Sequence, residues 1–133
     1  MLDVEVFGAE LASGAPSSQE VRHLCTIAAA AVGIEDGHLA VEYVEESRIA
    51  QLNEEHRGKA GRTDVLSFPI DGAVRPDDGV ERELGDVVIC PAHTSDLSEA
   101  IVHGVLHLVG FDHETDDGEM LALQARLLAP ESR

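Results

Sequence analysis

A single domain built from both helices and strands is what this sequence predicts, and three observations predict it. Four short stretches show the apolar alternation or the β-branched and aromatic content of strands, while four longer ones place apolar residues at the three- and four-residue spacing of helices. The 133 residues suffice for one core that buries most of the surface an unfolded chain exposes. The expected domain spans residues 1–133, without internal repeat.

Leu2, Val4 and Val6 alternate with Asp3, Glu5 and Phe7, which makes a first strand with one mainly apolar face. After a Gly/Ser/Pro loop, Ser17 or Ser18 is placed to cap a helix that starts at Gln19 and Glu20. Val21, Leu24, Cys25, Ala28 and Val32 form its stripe, His23 lies off it, and Gly33 ends it. Leu39, Val41 and Tyr43 alternate as a second strand, with His38 at its mouth and no role assigned to it. A second helix begins at Glu45-Glu46-Ser47, turns Ile49 and Leu52 inward and has Asn53 near its C-terminal end. A glycine-broken basic loop then holds Arg57, Lys59 and Arg62. It runs through Thr63 and Asp64 into a strand, Val65-Leu66-Ser67-Phe68, whose first residues are placed for contacts beside a cleft.

From Asp71 to Glu83 the chain is rich in Gly, Pro and Asp and reads as an exposed connection. Leu84 to Cys90 is a buried strand with Asp86 near its start. A third helix, capped between Thr94 and Asp96, turns Leu97, Ala100, Ile101 and Leu108 to the core and bears His103 and His107. Thr115 or Asp116 caps the last, with Met120, Leu121, Leu123, Leu127 and Leu128 on its apolar side.

Composition narrows the function classes. No apolar run approaches the length of a bilayer span, and the acidic, alternating start is the opposite of a secretory signal, so a cytoplasmic protein without membrane partner is expected. Cys25 and Cys90 form no C-x-x-C pair and sit among apolar neighbours, which reads as two buried free thiols. Nine basic against twenty-six acidic residues give a net charge of −17, a surface that repels polyanions at long range. Arg57, Lys59 and Arg62 nevertheless cluster within six positions, a local patch able to hold phosphate at short range.

The chemistry concentrates in His103-Gly104-Val105-Leu106-His107-Leu108-Val109-Gly110-Phe111-Asp112-His113. Two histidines four apart on a helix stand roughly 40° apart around its axis and one turn apart along it, so both imidazoles can converge on one ion. Gly110 is placed to end the helix in a left-handed conformation, after which the chain can turn back and bring His113 to face the first two. His103, His107 and His113 would leave one side of a zinc ion open, as catalytic sites do. The spacing is that of the metzincin proteases, but Gly104 stands where they have the glutamate that serves as general base. Metal-assisted hydrolysis is therefore expected, and peptidase chemistry is not.

Several segments together resemble one family, the YbeY endoribonuclease or rRNA maturation factor proteins. The residues from His103 to His113 follow its H-G-x-L-H-L-x-G-[YF]-D-H, and Thr63-Asp64-Val65-Leu66-Ser67-Phe68-Pro69 its T-[DN]-V-L-S-F-P. Leu84-Gly85-Asp86-Val87-Val88-Ile89 follows L-G-D-[IV]-x-I, and Leu52-Asn53 with Arg57 follows L-N-x-x-[YF]-R. His56, Ala60 and Arg62 depart from it, where the family has an aromatic, often an acidic residue, and often proline. The resemblance implies an α+β fold with helices on a mixed four-stranded sheet and one zinc held by three histidines on the H-x3-H-x5-H helix-turn. It also implies cleavage of single-stranded RNA in ribosomal RNA maturation, including the 16S 3′ end, and in ribosome quality control, with the small ribosomal subunit and other assembly factors as partners.

On that reading Arg57 stabilises the charge that builds on the attacked phosphate, and His103 serves the catalytic metal. Arg57, Lys59, Arg62, Thr63, Asp64 and Ser67 hold the substrate. Asp112 is a candidate acceptor for a ligand's ring N–H. A metallohydrolase acting on a small substrate or peptide, and a non-catalytic zinc-containing assembly factor, are the rival classes.

Overall fold

The alternation at the N-terminus does build a strand: β1 (Leu2–Phe7) turns Leu2 and Val4 into the core and leaves Asp3 and Glu5 exposed. It is the first of four strands in a computed structural model that describes residues 2–57, 64–74, 80–112 and 116–130. β2 (Gly37–Tyr43), β3 (Val65–Pro69) and β4 (Glu83–Ile89) join it in one mixed sheet of order β1-β2-β4-β3. β2 is parallel to both β1 and β4, and β3 is the antiparallel edge strand, with Ser67 opposite Val87. Parallel neighbours need a crossover, and α1 (Ser18–Ala30) supplies the one between β1 and β2. With α2 (Glu46–Arg57), α3 (Leu97–Leu108) and α4 (Glu119–Leu128), the architecture is the expected α+β arrangement.

The two faces of the sheet are covered unequally. On one face α1 and α3 bury Leu39, Val41, Tyr43, Leu84, Val87 and Ile89, and α4 packs against α3. On the other, α2 sets Ile49 and Leu52 on Leu66, Phe68, Val88 and Cys90, at the end of the sheet where β3 and β4 pair. Both thiols are free and buried; burial pushes Cys25 up to about 12, far from a reactive thiolate. No described helix is long and apolar enough to cross a membrane.

The capping signals are realised in two different ways. Ser17 Oγ accepts from the Glu20 N–H at 3.1 Å, and Asp96 Oδ1 from the Glu99 N–H at 3.1 Å. Ahead of α4, Asp116 uses both carboxylate oxygens, accepting from Gly118 at 2.8 Å and Met120 at 3.0 Å, although Gly118 is the residue at the cap itself. Two apolar assignments fail. α1 closes at Ala30, so Val32 sits in the following turn and is exposed, while Ile34 is buried and its N–H bonds Ala29 O. Leu121 also faces solvent, because the inward face of α4 runs through Met120, Leu123, Gln124 and Leu127.

Candidate metal centre

α3 approaches the sheet closely because one of its residues has no side chain. A Cβ at Gly104 would collide with Cγ1 of Val87, so this position faces β4 at contact distance. The letter that separates this sequence from the protease pattern is thus a packing requirement: any side chain there, a basic carboxylate included, has no room. Ser67 of β3 fastens the same turn, its hydroxyl donating to the Gly104 carbonyl at 2.8 Å.

His103 and His107 flank Gly104 along the helix, both partly buried, with rings edge to face at 4.7 Å between centroids and 74° between planes. Their Nε2 atoms stand 3.2 Å apart. The opposite nitrogens are anchored: His103 Nδ1 lies 2.9 Å from Gln124 Oε1, and His107 Nδ1 lies 2.9 Å from the Phe111 carbonyl oxygen. The second anchor is a product of helix termination. Gly110, at φ 106°, closes α3 with its N–H on His107 O at 3.1 Å and the Phe111 N–H on Leu106 O at 3.0 Å, a reversal that aims the Phe111 carbonyl back at His107.

These atoms fit a divalent cation with nitrogen affinity. A carbonyl only accepts, so His107 Nδ1 carries the ring proton and neutral His107 offers a bare Nε2. Two nitrogens each about 2.0–2.1 Å from one tetrahedral ion stand roughly 3.3 Å apart, close to the spacing found. Among the described residues no cluster of three His, Cys, Asp or Glu is gathered as a metal site. His113, expected as third ligand, lies outside the described residues, as do Lys59, Arg62, Thr63 and the side chain of Arg57, the last residue of α2.

The remaining expected residues are placed as follows. Asp64 is exposed just before β3, and its carbonyl accepts from the Cys90 N–H at 2.9 Å. Ser67 is partly buried, its proton committed to Gly104. Asp112 is exposed. His56 behaves as an aromatic, edge to face on Phe68 at 4.8 Å, and His93 Nε2 lies 3.2 Å from a Glu46 carboxylate oxygen at the start of α2. Gln124 and the Phe111 carbonyl were not found from sequence. The available signal for the first was its position, four residues past Met120 and three before Leu127, in the middle of an apolar face.

Comparison with known proteins shows the family. The family model described as Endoribonuclease YbeY matches residues 13–130. A Nocardioides sp. protein named Endoribonuclease YbeY is 41% identical over 109 residues, covering 68% of this chain and 72% of its own. A Bacillus pumilus protein of the same name is 34% identical over 131 residues, covering 83% and 82%. A Thermotoga maritima protein solved in solution is similar over 92% of this chain and 85% of its own, at 25% identity and a TM-score of 0.49.

Proposed function

Since the chain belongs to the endoribonuclease YbeY family, we propose that residues 1–133 form one zinc-dependent domain that cuts single-stranded RNA in small-subunit ribosomal RNA maturation, the 16S 3′ end included, and in ribosome quality control in the cytoplasm. One observation supports the metal above all: the converging Nε2 atoms of His103 and His107, whose outer nitrogens are both held from behind. His113 follows the turn at Gly110 and is the third ligand. When bound, the ion supplies Lewis acidity toward a phosphoryl oxygen and makes a water more acidic.

The chain's own groups do the rest. Arg57, at the end of α2, presents a planar, permanently charged guanidinium to the phosphate as negative charge builds on it. Lys59, Arg62, Thr63 and Asp64, which precede β3 in the sequence, hold the RNA backbone. Ser67 keeps its oxygen lone pairs for a substrate hydroxyl while its proton fixes α3. The small ribosomal subunit, with its assembly factors, presents the substrate.

The test is cleavage of purified ribosomal RNA and of ribosomal subunits by zinc-loaded and chelator-stripped protein, with His107→Ala and Arg57→Ala. Zinc-dependent cleavage, lost with stoichiometric metal in His107→Ala and reduced on the order of ten- to a thousandfold in Arg57→Ala at nearly unchanged thermal midpoint, is expected. Cleavage by stripped protein at the full rate would overturn the metal role. Equal loss of stability and activity in Arg57→Ala would make that arginine structural.

A further inference from the structure

The bases of an unpaired strand are held largely by stacking on flat rings, and this chain has few to give: three Phe, one Tyr and no Trp. Tyr43 is buried, Phe111 packs on the main core, and Phe7 stands on β1, at the opposite edge of the sheet from β3. Phe68 remains, and His56 meets it edge to face, with ring centroids 4.8 Å apart and planes at 70°.

Two elements bring these rings together. His56 follows Ile49 by seven residues and Leu52 by four, so α2 turns it to the same side as the apolar residues that pack on the sheet. Phe68 alternates with Ser67 along β3: the Ser67 hydroxyl reaches Gly104 on α3, and Phe68 points to the other face, toward α2. Phe68 is half-buried while His56 is exposed. The phenyl ring therefore orients the imidazole from below, in the geometry that aromatic pairs prefer, and the imidazole keeps ring surface open to solvent.

Charge decides which part of a nucleotide can settle there. Glu54 and Glu55 are exposed just before His56, and Asp86 is opposite Phe68 in the β3–β4 register and so shares its face of the sheet. These carboxylates repel a phosphate and tolerate a neutral base. Arg57, assigned above to the phosphate, is the next residue in the chain. β3 is an edge strand, so a single strand of the sheet separates this ring pair from the Gly104 turn that His103 and His107 flank.

We propose that His56, supported by Phe68, is a stacking platform for one nucleobase of the RNA, within a few nucleotides of the bond that is cut. The inference rests on the reading of the protein as an RNA-cleaving enzyme and adds a subsite to it. Every base has a flat face, so the platform fixes the path of the strand and not its sequence. It also favours unpaired RNA, because the base faces of a duplex are already covered by their neighbours.

The test compares wild type with His56→Leu, which keeps an apolar cover on Phe68 but loses the flat ring, and with His56→Phe, which keeps both. Zinc-supplied protein is titrated into a fluorescent single-stranded RNA of roughly ten nucleotides, read by anisotropy, with one abasic nucleotide moved through every position. Cleavage of the same strands is followed in parallel. His56→Leu should bind on the order of 5- to 100-fold more weakly at a nearly unchanged thermal midpoint, and His56→Phe should match or exceed wild type. At one position the abasic nucleotide should cost wild type a similar factor and cost His56→Leu nothing further. A His56→Leu protein that binds like wild type, a His56→Phe protein as weak as His56→Leu, or the same abasic profile in wild type and His56→Leu would overturn the platform and leave the nuclease reading standing. Ring-dependent binding without any cleavage would overturn the nuclease reading alone, and a wild type that binds none of the strands would overturn both.

Discussion

Ser67 on β3 and Gly104 on α3 are joined by a hydroxyl-to-carbonyl hydrogen bond of 2.8 Å, directly beside the place where that glycine meets Val87. The histidine helix is thus located by a bond on one side and by the lack of a side chain on the other. Gly104→Ala should therefore lower stability by about 1–3 kcal/mol, the usual range for overpacking, despite the better helix propensity of alanine. Val87→Ala in the same chain should recover part of the loss, because the two side chains compete for one space. Urea midpoints of the two single variants and the double variant check this; simple additivity would mean that α3 moves away instead of being squeezed.

His38 should make stability depend on pH. Its ring spans three neighbouring strands, with Nε2 2.7 Å from a Glu5 carboxylate oxygen on β1 and Nδ1 2.8 Å from Glu83 on β4, and Asp3 is its partner in register on β1. The hydrogen bond that the ring donates to Glu83 is the main cause that raises the pKa above the ordinary 6.5; burial works against it, and Glu5 adds to it. A group whose pKa is higher in the folded than in the unfolded protein stabilises fully below the unfolded value and loses that effect as pH rises through the folded one. Thermal midpoints between pH about 6 and about 9 should fall more for wild type than for His38→Gln. The difference should shrink in high salt, since both carboxylates are about half exposed. Parallel curves for the two proteins would show that the clamp is energetically silent.

Tyr43 should tolerate loss of its hydroxyl. The side chain is 2% exposed, and its oxygen has no hydrogen-bond partner among the described residues. Burial raises its pKa, with the neighbouring Cys25 adding to the effect, so the phenol stays neutral. Tyr43→Phe removes a desolvated polar group at no cost in shape, and stability should stay level or rise by about 1 kcal/mol. A drop of that size in the denaturant midpoint would reveal a partner for the hydroxyl.

RNA cleavage should respond weakly to salt. With nine basic against twenty-six acidic residues, long-range repulsion slows encounter, and the Arg57, Lys59 and Arg62 cluster attracts only at short range. Raising salt weakens both effects, so the rate at subsaturating RNA should stay flat or pass through a maximum. A steep fall from the lowest salt upward, as counterion release produces in ordinary nucleic-acid binders, would contradict this.

What could be read from sequence followed the range of the interactions involved. The four strands, the four helices and the caps at Ser17 and Asp96 are local patterns, and all were legible. So was the His103–His107 pair, whose spacing alone puts both rings on one helix face. The clamp at His38 was not, because it depends on β2 lying between β1 and β4, an order fixed by crossovers and not by anything near residue 38. Gln124 was missed for the opposite reason: a polar letter in a helix reads as solvent-facing until the packing partner is known.

The Schellman closure at Gly110 makes one backbone segment serve two purposes, and this ties the dynamics of the helix end to the readiness of the histidine pair. Whenever the last turn of α3 frays, the Phe111 N–H leaves Leu106 O and the Phe111 carbonyl swings away from His107 Nδ1, so the ring loses its orientation in the same event. Amide hydrogen exchange at Phe111 is therefore a direct gauge of how often the His107 ring is misaligned, and slower exchange there on zinc addition would mark the ion as a lock on the helix terminus.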